Sequence, residues 1–260
     1  MFHFIFALLV LFCSPAAAEE DLPAWQANAV AVNLPDYVAP MIAIVIDDMG
    51  LNRKMTRKAL ELPAPVTTSF LPYAGDLERQ TEQARQAGHE LMLHLPMQPF
   101  SPRKNAGTGA LTVFMTESEI KAALDNALAA FDGYVGVNNH MGSRFTTDVE
   151  RMRIVLNELN KRGLLFLDSV TSRHSVGLKT AREIGMPAVA RQVFLDNTDE
   201  EIPIRLKDLE RFASKNGIAV GIGHPHPATI DALQNWIPDA ADRGFVFVPV
   251  STIAVYAAEE

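Results

Sequence analysis

Cysteine is all but missing: the chain of 260 residues has one, Cys13. It lies within an apolar N-terminal segment, Met1 to Ala18, that reads as a secretory signal. Loss of that segment would leave no thiol, which excludes disulfides, thiolate metal sites and a cysteine nucleophile. Cations are also in deficit. Lys and Arg number 23 against 31 Asp and Glu, for a formal net charge of −8. Neutralising nucleic-acid phosphates needs the opposite balance, so no nucleic-acid partner is expected. Indole rings are scarce, with only Trp25 and Trp236, which argues against a sugar-binding module built on stacking. The apolar core of the signal, Phe4 to Phe12, is too short for a membrane span, and no stable span is expected once it is removed. There is no internal repeat and no low-complexity tract.

What remains is a globular chain. Hydrophobic residues make up 48% of it, which excludes a disordered polymer. Pro15-Ala16-Ala17-Ala18 supplies small residues before Glu19, so cleavage is expected there, although the segment has no Lys or Arg at its start. The expected location is the bacterial cell envelope, periplasmic or secreted. Residues 19–40 are polar and proline-dotted and read as a lead-in or linker. The folded domain is expected over 41–260.

From Met41 onward, short apolar runs alternate with helical periods. Ile42 to Ile46 is continuously apolar, as expected of a strand covered on both faces of a parallel sheet. Similar runs are Val66–Leu71, Glu90–Leu95, Tyr134–Asn138, Leu164–Asp168, Gln192–Leu195, Ile218–Ile222 and Phe245–Val248. Helices are predicted over Leu77–Gln86, from Thr116 with Glu119 completing a capping box, and over Asp148–Lys161, Ile204–Ser214 and Ala228–Trp236. This alternation predicts an α/β fold with a mostly parallel sheet, closed as a barrel or spread as a doubly wound sheet.

Functional groups in such folds gather at the C-terminal ends of strands. Several runs end in groups suited to metal or proton chemistry: Asp47-Asp48, His94, Asn138-Asn139-His140, Asp168-Ser169, and His224-Pro225-His226. Adjacent carboxylates after an apolar strand are costly unless a cation compensates them. A bend at Met49-Gly50 would be needed for both to face one site, and a plain alternative is that one of them caps the next helix. His89 sits at the start of a strand and reads as structural, while His174 in a Ser-rich loop reads as solvated. Nitrogen and carboxylate donors without sulfur suit Zn²⁺, with Co²⁺, Ni²⁺ or Mn²⁺ as alternatives.

Five stretches resemble the divergent polysaccharide deacetylases, a branch of the NodB-homology carbohydrate esterases. They are Ile44–Gly50, Gly88–Pro99, Asn138–Thr146, Phe166–Ser169 and Gly221–Pro225. The resemblance implies a distorted (β/α) barrel of about seven mostly parallel strands and a divalent metal, Zn²⁺ first. It implies hydrolysis of N- or O-acetyl groups on a polysaccharide or a peptidoglycan-type glycan. Asp47 maps onto the general base, Asp48 and His94 onto metal ligands, and His224 onto the histidine that protonates the leaving group. The family's second ligand histidine is replaced by Gln98, so His140 is expected to take its place. Gln98, Asn139, Ser143, Arg144, Asp168, Arg191 and His226 are expected to touch substrate or to brace the ligands. Arg144 or a backbone N–H near Gly142 would serve the oxyanion. Asp168 and Arg191 would orient histidines, with a structural Arg191–Asp196 ion pair as the alternative. The departure at Gln98 opens a second reading: an accessory protein that binds glycan or peptidoglycan through the same pocket but has lost turnover.

Overall fold

The computed structural model describes residues 22–257, Ala64 aside. The expected signal at 1–18 lies outside the described residues. Among the described residues nine strands form one wholly parallel sheet. They are β1 (Met41–Met49), β2 (Thr67–Phe70), β3 (Glu90–Met97), β4 (Gly136–Met141), β5 (Leu165–Asp168), β6 (Ala188–Ala190), β7 (Val193–Phe194), β8 (Ile218–Gly223) and β9 (Val246–Phe247). Their order is β6-β5-β4-β3-β2-β1-β8-β7, and β9 pairs with the start of β1. The sheet curls until its ends nearly meet. Arg191 N donates to Asp168 O on β5, and the next residue, Gln192, donates to Val220 O on β8. No ladder joins β6 to β7, so the barrel is distorted and open along one seam.

The apolar runs work as fully covered strands do. In β1, Ile42, Ile44 and Ile46 pack outward with the helices, while Ala43 and Val45 pack inside the barrel. The outer layer holds α2 (Arg53–Ala59), α3 (Leu77–Gln86), α4 (Glu117–Leu128), α5 (Val149–Lys161), α6 (Gly177–Glu183), α7 (Ile202–Asn216) and α8 (Pro227–Asp242), after a single-turn α1 (Ala24–Ala27) in the lead-in. Thr116 and Glu119 do form a capping box at α4. Sequence reading assigns no range to α1, α2, β6, α6 or the terminal α9 (Val250–Ala257). Helix α9 is rich in β-branched residues, and burial of Val250, Ile253 and Ala254 inside the barrel overrides their weak helix propensity. Among the described residues no helix is long and apolar enough to cross a membrane.

Glu90 lies fully buried at the barrel floor. Its carboxylate accepts from Thr67 Oγ1 at 3.0 Å, from Ser251 N at 3.2 Å and from the Ser251 hydroxyl, tying α9 to β2 and β3. Burial pushes its pKa up to about 7. The folded state therefore holds a proton that the unfolded chain releases near its ordinary value of 4.5, and stability falls as pH rises through that interval. Glu90→Gln removes the ionisation. Between pH 5 and 8, urea melts are expected to show the variant gaining about 3 kcal/mol relative to wild type, from 1.36 kcal/mol per unit. A difference independent of pH would contradict this.

Candidate metal and catalytic site

The site lies at the C-terminal mouth of the barrel. Inward alternation carries Asp47, His94 and His140 to one cavity from β1, β3 and β4, with Asn138 buried behind Asp47 and His94. Asp48 joins them by a local break. Its φ is +54°, and the β1–β2 register shifts between Ile46 and Met49. The bend expected at Met49-Gly50 thus falls at Asp48 itself, and turns two successive carboxylates to the same side. Neither caps the next helix, because Asn52 does so, accepting from Met55 N at 3.2 Å.

Three donor atoms converge. Asp48 Oδ1 lies 2.8 Å from His140 Nδ1 and 3.3 Å from His94 Nε2, and the two ring nitrogens are 3.2 Å apart. Ligands each about 2.0 Å from one tetrahedral ion lie about 3.3 Å from one another. Asp48 Oδ1 is also buried without a hydrogen bond of acceptable geometry. Burial alone would raise the Asp48 carboxyl, yet the His140 and His94 rings outweigh it and hold the group well below the usual carboxylate range. An oxygen kept anionic, buried and short of partners fits a cation, so these residues could hold one.

Asn138 organises the arrangement. It is fully buried. Its Nδ2 donates to Asp47 Oδ1 at 2.8 Å, and its Oδ1 accepts from Ser69 Oγ at 2.6 Å. The same Oδ1 lies 2.8 Å from His94 Nδ1, which places the His94 proton on Nδ1 and leaves Nε2 as an electron-pair donor toward Asp48 and His140. Burial pushes the Asp47 carboxyl up, and the His94 and His224 rings and the Asn138 bond offset this only in part.

His224 follows β8 and lies with Nε2 4.0 Å from Asp48 Oδ2. Its Nδ1 is 3.0 Å from Asp196 Oδ1, and Asp196 Oδ2 accepts from His224 N at 2.6 Å and Thr229 Oγ1 at 2.8 Å. Burial would lower the His224 pKa, but Asp196, Asp47 and Asp48 raise it to about 9. Sequence reasoning missed the Asp196–His224 pair and expected Asp196, if anything, to pair with Arg191. Asp196 stands just past the run Gln192–Leu195, but no histidine or second carboxylate beside it marks that strand end as part of a site.

Other expected residues divide. Asn139 and Ser143 line the cavity. Asn139 Oδ1 accepts from Ser169 N at 3.0 Å, and Ser143 Oγ accepts from Phe100 N at 3.0 Å, so both brace loops at the rim. Gln98 is elsewhere. Its Oε1 accepts from Val113 N at 2.9 Å and its carbonyl accepts from Arg144 N and Phe145 N. Arg144 does not line the cavity; its guanidinium lies over the Phe114 ring. Asp168 and Arg191 orient no histidine. Asp168 falls on the outward phase of β5 and accepts from Ser175 Oγ, Val170 N and Leu178 N. Arg191 donates to Ser169 O and Val170 O, and no ion pair joins it to Asp196 among the described residues. His226 stacks on His224 with centroids 5.7 Å apart, and with Asp196 and His224 it forms a second, more exposed donor cluster. His89 is structural as expected: Nδ1 accepts from Val66 N, and Nε2 lies 3.1 Å from Leu60 O.

The profile of the family described as divergent polysaccharide deacetylase matches residues 44–254. The chain belongs to that family. It is 35% identical over 216 residues to the uncharacterized protein YibQ of Escherichia coli K12, covering 81% of this chain and 66% of that one. It therefore spans just under two thirds of that relative's length. A crystal structure of an uncharacterized protein of Agrobacterium tumefaciens C58 superposes with a TM-score of 0.85 at 32% identity, covering 89% of this chain and 95% of that one. The catalytic domain of a peptidoglycan N-acetylglucosamine deacetylase from Eubacterium rectale shares the fold at a TM-score of 0.53, with 13% identity over 84% of this chain and 91% of that one.

Proposed function

We propose that this protein is a metal-dependent hydrolase that removes N- or O-acetyl groups from a polysaccharide of the cell envelope. The observation that carries the reading is the donor set Asp48, His94 and His140, with a buried carboxylate on one side and a paired histidine on the other. Family membership supports it. A divalent cation held there, Zn²⁺ by the donor chemistry, would polarise the acetyl carbonyl and acidify water. Asp47, held by Asn138 in a dry environment that raises its proton affinity, takes a proton from the attacking water. His224 stays protonated at neutral pH through Asp196 and delivers its proton to the departing amine or alcohol. The backbone around Gly142 lies beside the cavity; a Cβ there would come within 2.9 Å of Met97 Cβ, so only glycine permits the close approach. The loss of a histidine at position 98 does not count against turnover, because His140 supplies an imidazole from β4 while Gln98 serves the loops.

The test is acetate release from acetylated chitooligosaccharides, acetylated xylan and peptidoglycan, after loading with Zn²⁺, Co²⁺ or Ni²⁺. Release from at least one is expected. No release from any, with metal demonstrably bound, would overturn the hydrolase reading and leave a glycan-binding protein.

A further inference from the structure

We propose that the glycan strand at this site is acidic, and that a cationic groove along the barrel seam holds its negatively charged sugars beside the catalytic cavity. This rests on the deacetylase reading above. The catalytic cavity is small, about 260 Å³, enough for about one sugar unit and its acetyl group. A polymer must therefore run out of it onto the surface. Phe194 lines it, and lines a second cavity of about 590 Å³ as well. The Phe194 ring centroid is 5.3 Å from that of His224, so the two cavities are neighbours across one side chain.

The second cavity is cationic in an acidic protein. Arg191, Arg205, Arg211 and Lys215 line it against a single carboxylate, Asp208. The last three of these cations share one face of α7, at helical spacing. Arg205 and Arg211 pair with Asp208, and Arg205 also with Glu201. Arg191 and Lys215 pair with no carboxylate among the described residues. Arg191 is held in place by the carbonyls of Ser169 and Val170 and lies 5.1 Å from the Phe194 centroid. This half-buried guanidinium hydrogen-bonds only to carbonyls, and Asp168 and Asp47 act on its charge only from a distance. On the other flank, Lys104 lines the catalytic cavity and forms no ion pair among the described residues.

Cations thus bracket the reaction centre in a chain of net charge −8. The field of the whole molecule would repel a polyanion, and a local positive track counters it where the polymer must lie. A neutral glycan needs no such track. Phe194 and the partly exposed Phe212 add faces suited to pyranose rings, which favours a sugar over another polyanion. The ligand chemistry is an acetylated sugar polymer bearing carboxylates or phosphates.

The experiment is a titration of the full chain with three oligosaccharides of equal length: oligogalacturonate, a phosphorylated mannan fragment and a neutral chitooligosaccharide. At least one acidic oligomer is expected to bind roughly tenfold tighter than the neutral one, with the advantage shrinking at high salt. Which acidic oligomer wins distinguishes carboxylate from phosphate. Arg211→Glu with Lys215→Glu is expected to abolish that advantage without changing melting temperature or metal content, since both side chains are exposed. Equal affinity for the neutral oligomer, an unchanged advantage in the charge-reversed variant, or equally tight binding of single-stranded DNA would each overturn the proposal. Acetate release with no acidic preference would sink the groove and spare the hydrolase. Acidic binding without release from any substrate would do the reverse.

Discussion

Asp47→Asn is expected to lower acetate release by about 10²–10⁴-fold, the usual contribution of a positioned acid or base, while the protein keeps its cation. The substitution is close to isosteric. The carboxamide oxygen it introduces can still accept from Asn138 Nδ2, as the Asp47 carboxylate does at 2.8 Å. What it cannot do is take a proton. It also removes a charge that burial disfavours, so the melting temperature should hold or rise. Activity and metal content measured on the same sample decide the matter. Loss of metal along with activity would move Asp47 into the ligand set, and retained activity would remove it from the mechanism.

His140→Ala and Asp48→Ala are expected to weaken cation binding by more than about 100-fold, beyond the 10–100-fold typical of losing a residue that merely braces a ligand. Asn138→Ala supplies that milder comparison. It contacts no cation position but fixes both the His94 tautomer and Asp47. Its metal affinity should fall within the 10–100-fold range, with activity falling further because the base is also released. Equilibrium metal titration ranks the three. Equal losses in all would mean that the cluster unfolds as a unit, and unchanged binding in His140→Ala would refute the replacement of the histidine missing at position 98.

Much of this site is legible in the chain. The apolar strands announce themselves by continuous Ile and Val, and their polar ends mark Asp47, Asp48, His94, His140 and His224 as neighbours. Alternation along β1, β3 and β4 makes this physical, because it sends every second residue into the barrel. The limits have equally local causes. Asp48 reaches the site only through a positive φ, which an aspartate adopts without any sequence marker. Asn138 works because it is buried within a strand, but in the sequence it closes the run Tyr134–Asn138 beside a second asparagine, and nothing marks which of the two turns inward. Asp168 looks like a strand-end ligand and is not one, since its phase on β5 points it outward. Strand β6 has only three residues, shorter than any period can reveal, and Asp196, just past the run Gln192–Leu195, has no neighbouring ligand residue to mark it.

The floor of the barrel bears on the order of assembly. Strand β1 takes Ile218 and Val246 as register partners of Met41, and the final helix fills the interior between them. Strand β1 can pair with β2 early, but its other edge and its first residues wait for β8 and β9, far along the chain. Such distant pairings close slowly, and a nascent chain lacking its final helix and the strand before it has no complete wall to close against. For a chain that works in the cell envelope, as we propose, this connectivity would postpone closure of the barrel until β8 and β9 are available.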